Sequence, residues 1–256
     1  MKNFIKCKVH SNKKINENHF ELVLNVGESA KLCKSGQFLG VYSKDKSLIL
    51  PRPISISEID KKNHRITLVI QNKGKGTREL SKAKENDVLD VILPLGNGYD
   101  LDVQKNETVY LMGGGVGIPP LVEAYKNLKE KDINVKVILG FRDSNTFLEN
   151  KFYEDDVYIC TDDGSKGFKG NVVEKLKTID KPDYIYTCGP KPMLRGICEY
   201  AKENNVKSFI SVEEYMACCI GVCLGCVLKV RENGTITTKK VCVDGPVFRG
   251  EDVIFE

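Results

Sequence analysis

The chain has 256 residues, of which 41% are hydrophobic and 29% are charged, a composition that is typical of folded globular proteins and excludes wholesale disorder. Its 39 Lys and Arg residues exceed its 35 Asp and Glu residues only slightly. Because this small excess is spread along the chain, it argues against a nucleic-acid partner. The length is sufficient for two compact domains and a small third one.

The sequence contains no apolar run of membrane-spanning length, and its N-terminal segment, MKNFIKCKVHSNKK, lacks the apolar core of a signal peptide. We therefore expect a cytoplasmic protein with no membrane partner. Ten cysteines would predict disulfides in a short secreted chain, but here five of them lie between residues 218 and 242. A reduced, cofactor-binding protein explains this distribution better, with the scattered cysteines in the core.

Residues 6–100 contain short runs of alternating apolar and polar residues, separated by turn residues. Runs of this length that are rich in Val, Ile, Leu and aromatic residues predict β-strands. Only one short helix, TRELSKAK, is expected among them. We predict an antiparallel β-barrel or sandwich and assign this domain to residues 1–103.

Two segments of the predicted barrel carry residue types suited to phosphate. In the RPIS segment at 52–55, Arg52 offers a fork of donors, Pro53 restricts the backbone and Ser55 supplies a hydroxyl. In the NKGKGT segment at 72–77, two glycines allow close backbone approach and Thr77 could cap a helix. Taken alone, the glycine segment is better explained as a turn between strands.

After residue 104 the pattern changes to strands that alternate with helices, including helices expected near residues 145–155 and at residues 171–179. This alternation predicts a doubly wound parallel sheet, which we assign to residues 104–207 as a nucleotide-binding α/β domain. Ligands of such sheets bind at the carboxyl ends of the strands. Those ends are expected at Gly113–Gly117, Gly140–Arg142, Thr161–Gly164 and Cys188–Pro190.

The glycine turn of this domain reads G-x-G-x-x-P from Gly115 to Pro120 and so lacks the third glycine of the dinucleotide fingerprint. A pyrophosphate could still lie at the N-terminus of the following helix, and the alternative is a tight turn with no ligand. Asp162 and Asp163 could accept hydrogen bonds from ribose hydroxyls and would repel a 2′-phosphate, which favours NAD(H), whereas Arg142 favours NADP(H).

Three cysteines in the segment EYMACCIGVCLGC are spaced as C-x4-C-x2-C at Cys218, Cys223 and Cys226, and fifteen residues separate the last of them from Cys242. Plant-type ferredoxins hold a [2Fe-2S] cluster with this spacing. An Asn-Gly turn between two alternating runs predicts a β-hairpin that returns Cys242 to the other three. We assign residues 208–256 to a cluster domain.

A structural zinc site is the main alternative, because it also uses four thiolates. Zinc sites usually pair two C-x2-C knuckles, however, and the small residues around this run suit a loop that wraps an inorganic core. Cys219 is surplus to four-fold ligation, and we interpret it as a small packed residue. No hydrolase triad is recognisable, and the three histidines form no ligand pair.

Four motifs in this order resemble the ferredoxin-reductase-like flavoproteins: RPIS at 52–55, GKGT at 74–77, GGGVGIPP at 113–120 and CGPKPML at 188–194. Among these flavoproteins, the chain most resembles the electron-transfer subunits of class 1B dihydroorotate dehydrogenases. The C-terminal segment of those subunits is similar to EEYMACCIGVCLGC and VCVDGPVF in this chain. The resemblance covers nearly the whole chain. One departure is Cys219, where that family usually has glycine.

The resemblance implies three bound groups. FAD would be held by Arg52, Pro53, Ile54, Ser55, Val69, Ile70, Gln71, Gly76 and Thr77. NAD(H) would lie over Gly113, Gly114, Gly115, Gly117, Asp162, Cys188, Gly189 and Pro190. A [2Fe-2S] cluster would be held by Cys218, Cys223, Cys226 and Cys242. No residue is implied as a general acid or base.

The implied function is electron transfer to NAD+ from a partner subunit that contains FMN and oxidises dihydroorotate in de novo pyrimidine (UMP) biosynthesis, in a heterotetramer with two copies of each chain. One alternative keeps the fold but changes the partner to that of an NAD(P)H-linked ferredoxin or sulfide oxidoreductase or a hydrogenase. Another is a zinc-stabilised binding module without enzymatic activity.

Overall fold

The computed structural model describes residues 2–146, 151–152 and 156–255, and these form three β-sheets with helices packed against the second. Within this described part, no helix is both long and apolar enough to cross a membrane. The fold class expected from the sequence is confirmed in its main features: an antiparallel barrel-like sheet, a mainly parallel sheet and a small C-terminal unit.

The first sheet is antiparallel, in the order β4-β3-β7-β1-β2-β6-β5. Its elements are β1 (Asn3–Lys14), β2 (His19–Asn25), β3 (Phe38–Val41), β4 (Arg52–Ser55), β5 (Glu58–Asp60), β6 (Arg65–Gln71), the helix α1 (Lys75–Leu80) and β7 (Val88–Leu95). Alternate residues of β6 are buried, as the period of a strand with one buried face requires. The buried set includes Leu68 and Ile70, which pack in the core of this sheet.

The second sheet has the order β11-β10-β9-β8-β12-β13 over its parallel strands. Its elements are β8 (Thr108–Gly114), α2 (Pro119–Glu130), β9 (Asn134–Phe141), β10 (Val157–Thr161), β11 (Phe168–Lys169), α3 (Val172–Leu176), β12 (Tyr184–Cys188), α4 (Lys191–Asn204) and β13 (Lys207–Ser211). Separate apolar clusters cover its two faces, one with α2 and the other with α3 and α4. The predicted doubly wound arrangement is therefore correct.

The helix expected near residues 145–155 mostly lies outside the described residues. Ser144–Thr146 forms a 3-10 turn, and residues 147–150 and 153–155 are not part of the described structure.

The C-terminal segment contains β14 (Val227–Glu232), β15 (Thr235–Lys240), α5 (Val241–Asp244) and β16 (Val247–Arg249). The predicted hairpin is present, because β14 and β15 pair antiparallel around Asn233 and Gly234, whose positive φ angles of 50° and 79° suit a two-residue turn. β16 then pairs antiparallel with β13. The second sheet thus continues into the segment after residue 207 that we assigned to the cluster domain.

Ion pairs join the barrel to the second sheet. Glu58 of β5 pairs with Lys126 of α2 and with Lys151, and Lys151 also contacts Glu21 of β2 at 2.8 Å. Next to Glu58, the backbone N–H of Ile59 donates to the Glu123 carboxylate at 2.9 Å. These contacts hold α2 against the barrel, with a cleft between the two sheets.

Candidate cofactor and cluster sites

The two phosphate-type segments of the barrel meet in space. Arg52 begins β4, at one edge of the first sheet, and Gly76 lies in α1. The guanidinium of Arg52 covers Gly76 so closely that a Cβ atom there would overlap the Arg52 Nε. Glycine at 76 therefore leaves the space that the Arg52 guanidinium fills, and a cationic donor stands beside the GKGT turn, as an anionic pyrophosphate would require.

The strand β6 presents its half-buried face next to these segments. Val69 and Gln71 are half-buried, whereas the side chain of Ile70 is 1% exposed and belongs to the barrel core. Ile70 could therefore contact a cofactor only through its backbone. The hydroxyl of Thr77 accepts hydrogen bonds from the Lys73 and Gly74 amides, both at 3.0 Å, and holds the turn after β6 closed.

A cavity of about 1190 Å³ lies between the barrel and the carboxyl ends of the parallel strands. It reaches the boundary between β8 and β12, where the strand order of the sheet reverses, which is the usual ligand crevice of such sheets. The residues that the resemblance places at FAD or NAD(H) and that line it are Gln71, Gly114, Gly115, Gly117, Asp162, Gly189 and Pro190, and the predicted strand end Gly140–Arg142 lines it too. A cavity at this position is the usual place of a small-molecule or cofactor site in such sheets.

The glycines of the nucleotide turn have different physical roles. A Cβ at Gly117 would overlap the carbonyl of Cys188, and one at Gly114 would lie 2.8 Å from the Met193 sulfur, so both allow close packing of turn and strand. Gly115 has φ +54° and open space where its Cβ would be. The tight-turn interpretation thus accounts for Gly114 and Gly117, while Gly115 leaves its backbone open to a ligand.

Several cavity residues were not predicted from the sequence. Asn16, Asn18, His19 and Lys73 reach the cavity from the barrel, while Asn171, Lys177, Met193 and Glu213 reach it from the second sheet and its helices. They come from turns and strand ends with no periodic pattern. His19 is held by a 3.0 Å contact between its Nδ1 and the Asn16 Oδ1, which the side-chain pattern INENH does not reveal.

The four predicted ligand cysteines come together as two pairs. Cys218 and Cys223 are half-buried and form the outer pair, in which the Cys223 amide donates to the Cys218 Sγ at 3.4 Å. Cys226 and Cys242 are almost fully buried, and their thiols are hydrogen-bonded. The Val241 amide donates to the Cys226 carbonyl at 2.8 Å, and this contact at the base of the hairpin brings Cys242 back to the loop.

The loop directs backbone amides at the sulfurs. Burial opposes ionisation of Cys218, but the amides of Cys223, Ile220 and Val222 outweigh it and lower its pKa to about 6. Burial and the adjacent Cys226 raise the pKa of Cys242 to about 12, although the Gly221 amide opposes them. Amide donors around thiolates are the feature by which proteins stabilise and tune iron-sulfur clusters.

This donor set fits a two-iron cluster. In a [2Fe-2S] cluster with four thiolates each iron takes two of them, and the chain supplies an outer pair and an inner pair. A zinc ion instead needs four ligands around one point. Across residues 2–146, 151–152 and 156–255, no three His, Cys, Asp or Glu side chains form a group that could hold a single metal ion.

Cys219 is separate from both pairs. It is buried and has φ +61°, and its Cβ lies 3.7 Å from the position that a Cβ at Gly40 of β3 would occupy. Glycine would adopt this left-handed backbone without the steric cost that a side chain incurs. Cys219 packs the cluster loop against the barrel, in agreement with its interpretation as a packed residue.

The antiparallel barrel, the nucleotide-type sheet and the cysteine loop define a ferredoxin-reductase-like electron-transfer protein. The structure is similar to that of an NADH-dependent reduced ferredoxin-NADP oxidoreductase, with a TM-score of 0.84, 32% identity and coverage of 97% of this chain and 89% of that one. Phthalate dioxygenase reductase has the same fold, with a TM-score of 0.64 and 17% identity over 93% of this chain and 76% of that one.

Sequence relatives identify the family. The dihydroorotate dehydrogenase B (NAD(+)) electron transfer subunit of Streptococcus pneumoniae serotype 4 is 41% identical over 92% of this chain and 94% of its own length. That of Caldanaerobacter subterraneus subsp. tengcongensis is 40% identical over 98% of both chains. Residues 213–254 match the iron-sulfur cluster binding domain of dihydroorotate dehydrogenase B. The chain belongs to the family of dihydroorotate dehydrogenase B electron transfer subunits.

Proposed function

We propose that this chain carries electrons from a dihydroorotate-oxidising catalytic subunit, which contains FMN, to NAD+ in pyrimidine (UMP) biosynthesis. The observation that carries the proposal is that one segment of chain joins the cysteine loop to the nucleotide cavity. Cys218, the first of the paired thiols, follows β13 by a few residues, and Glu213, just beyond the end of β13, lines the nucleotide cavity. A thiol-bound cluster and a dinucleotide would thus be held by one connected segment.

The proposal requires a group that converts between one-electron and two-electron carriers. A cluster passes single electrons and NAD+ accepts a hydride, and a bound flavin supplies the conversion between them. The chain's own part is to hold and orient these groups. The residues that we propose hold FAD, NAD(H) and the cluster are those implied by the resemblance, with Arg52 and Gly76 at the FAD pyrophosphate and the four paired cysteines at the cluster.

Apolar side chains around the cysteine loop support a partner at this surface. Tyr215 is 93% exposed, Val222 79% and Leu224 69%, and Ile220 is also exposed. Several large apolar side chains on one exposed loop are typical of a protein interface. We propose that the catalytic subunit covers this loop, in a heterotetramer with two copies of each chain, which would bring the partner's flavin towards the outer thiol pair.

The test is anaerobic co-purification with the catalytic subunit, followed by flavin and iron analysis and an assay of dihydroorotate-dependent NAD+ reduction. We expect Cys226→Ala to abolish this reduction and to retain NADH-dependent dye reduction, because the flavin and nucleotide sites are untouched. Cys198→Ala, which alters a half-buried thiol outside the two pairs, is the matched control. Orotate-coupled NAD+ reduction by Cys226→Ala would contradict the proposed route.

A ferredoxin-linked function is the second candidate, because the ferredoxin-NADP oxidoreductase has the same fold at 32% identity. Co-purification distinguishes the two. A partner that contains FMN and oxidises dihydroorotate supports the first function, and a complex that reduces ferredoxin but leaves dihydroorotate unchanged supports the second.

A further inference from the structure

Glu213 occupies the junction between the nucleotide cavity and the segment that leads to the cysteines. It lies two residues beyond Ser211, the last residue of β13, which pairs in register with Cys188 at the end of β12. The residue is accessible to solvent within the open cavity that it lines together with Gly114 and Gly189, and protein atoms surround it on the cavity side. A carboxyl group is therefore present where the glycine turn meets the end of β12.

The surroundings of this carboxyl group are partly desolvated. The cavity walls raise the pKa of Glu213, and Lys73, just beyond β6, opposes the rise. Burial raises the pKa of Cys188, and the negative charge of Glu213 raises it further. The neighbouring Glu214 is paired with Lys191 at 2.5 Å. The other charged or titratable side chains that line the cavity are His19, Arg142, Asp162, Glu174 and Lys177.

A carboxyl group at this position would respond to the redox state of a nicotinamide. The nicotinamide ring of NAD+ carries a positive charge and that of NADH carries none. A nearby carboxylate is attracted to the oxidised ring only, and the attraction is strengthened where protein walls replace water. By the same linkage, the oxidised ring lowers the pKa of the carboxyl group, and its replacement by the neutral ring lets that pKa rise again.

We propose that Glu213 is a positioning residue that makes the site discriminate between NAD+ and NADH. Its carboxylate stabilises bound NAD+. When NADH replaces NAD+, the carboxylate takes up one proton from solvent and becomes the neutral acid. This protonation involves no electron transfer. This inference rests on the proposed function and deepens it, because it concerns the same nucleotide site.

The expected pH dependence follows from the sign of this coupling. At low pH the carboxyl group is neutral in both complexes, so the preference for NAD+ is smallest. As the pH rises between the pKa of the NAD+ complex and that of the NADH complex, the preference for NAD+ increases, by about tenfold for each unit that separates the two pKa values. Above both values the ratio is constant.

The experiment uses the full chain loaded with oxidised FAD. Dissociation constants of NAD+ and of 1,4,5,6-tetrahydro-NAD, which has a neutral ring and cannot transfer a hydride, are measured by calorimetry from about pH 5 to about pH 9. In the wild type we expect the affinity ratio to rise about tenfold or more towards NAD+. Glu213→Gln should keep the low-pH ratio throughout, and Glu213→Asp should retain the rise.

The matched control is Glu199→Gln, which removes an exposed carboxylate of α4 paired with Arg195 and should reproduce the wild-type profile. A flat wild-type profile, or an unchanged rise in Glu213→Gln, overturns the inference and leaves the proposed function intact. A flat wild-type profile overturns the inference even where a variant does not fold, and a rise is assigned to Glu213 by its loss in Glu213→Gln and its retention in Glu213→Asp. Failure of the FAD-loaded chain to bind either nucleotide would overturn the NAD+ part of the proposed function as well.

Discussion

The backbone amide of Cys223 donates a hydrogen bond to the sulfur of Cys218 at 3.4 Å, so a contact within the protein holds the outer thiol pair together. The inner pair, Cys226 and Cys242, is buried behind it. This order places one half of the thiol set towards solvent and the exposed apolar loop, and the other half towards the protein core.

Thiol reactivity in the iron-free, reduced protein should follow this order. We expect iodoacetamide to label Cys218 first, with half-maximal labelling near pH 6, because its pKa is lowered to about 6 by the amides that outweigh its burial. Cys219 and Cys242, whose pKa values are raised to about 12, should react slowly. Peptide mass spectrometry measures each site, and equal labelling of all three would contradict the assigned environments.

Cys219→Gly should keep the cluster. Glycine removes the cost of about 1 kcal/mol that a side chain has at a left-handed position, and Cys219 has φ +61°. Loss of the packing of this buried side chain opposes that gain, so we expect unchanged iron content per chain and a melting temperature close to that of the wild type. Cys223→Gly, as the comparison, should lose iron. Loss of iron in Cys219→Gly would show that Cys219 acts as a ligand.

Gly76→Ala should weaken FAD binding and largely spare the fold. The new Cβ would overlap the Arg52 guanidinium, which is the end of a flexible side chain and can move away at little cost to stability. Gly74→Ala is the matched control, because nothing lies within 4 Å of its Cβ position. Fluorescence titration of the apoprotein with FAD should give a higher Kd for Gly76→Ala only, and equal Kd values would contradict a role for Arg52.

Glu58→Gln should loosen the contact between barrel and second sheet. Burial opposes ionisation of Glu58, but Lys126 and Lys151 outweigh it and lower its pKa. A lowered carboxyl pKa contributes stability above the unfolded-state pKa of about 4.3 that is lost as the pH falls. We expect a loss of about 1 kcal/mol near pH 7.

Urea denaturation should show this difference shrinking below about pH 4, as Glu58 becomes protonated. Glu17→Gln serves as the control, because the Glu17 side chain is 93% exposed and lies 3.9 Å from Lys14. It should leave stability unchanged at either pH. A Glu58→Gln effect that persists undiminished in acid would contradict the ion-pair explanation.

Local features of this protein were predictable from sequence. The hairpin at Asn233 and Gly234, the return of Cys242 that it produces and the alternation of strands and helices all depend on residues near one another in the chain, where strand period and turn preferences act directly. The boundaries were less accurate. The helix expected at residues 171–179 ends at Leu176, because side-chain capping and packing set the ends of short helices.

The amino-acid sequence by itself therefore determined that an antiparallel barrel precedes a parallel α/β sheet. It also determined that a hairpin returns Cys242 to the cysteines that begin at Cys218. Only the tertiary structure decided how the thiols divide into an outer and an inner pair, how Arg52 comes to cover Gly76, and that Glu213 shares a cavity with Lys73. These relationships join segments that are distant in the chain. They arise from the packing of whole sheets against each other, which local periodicity does not encode.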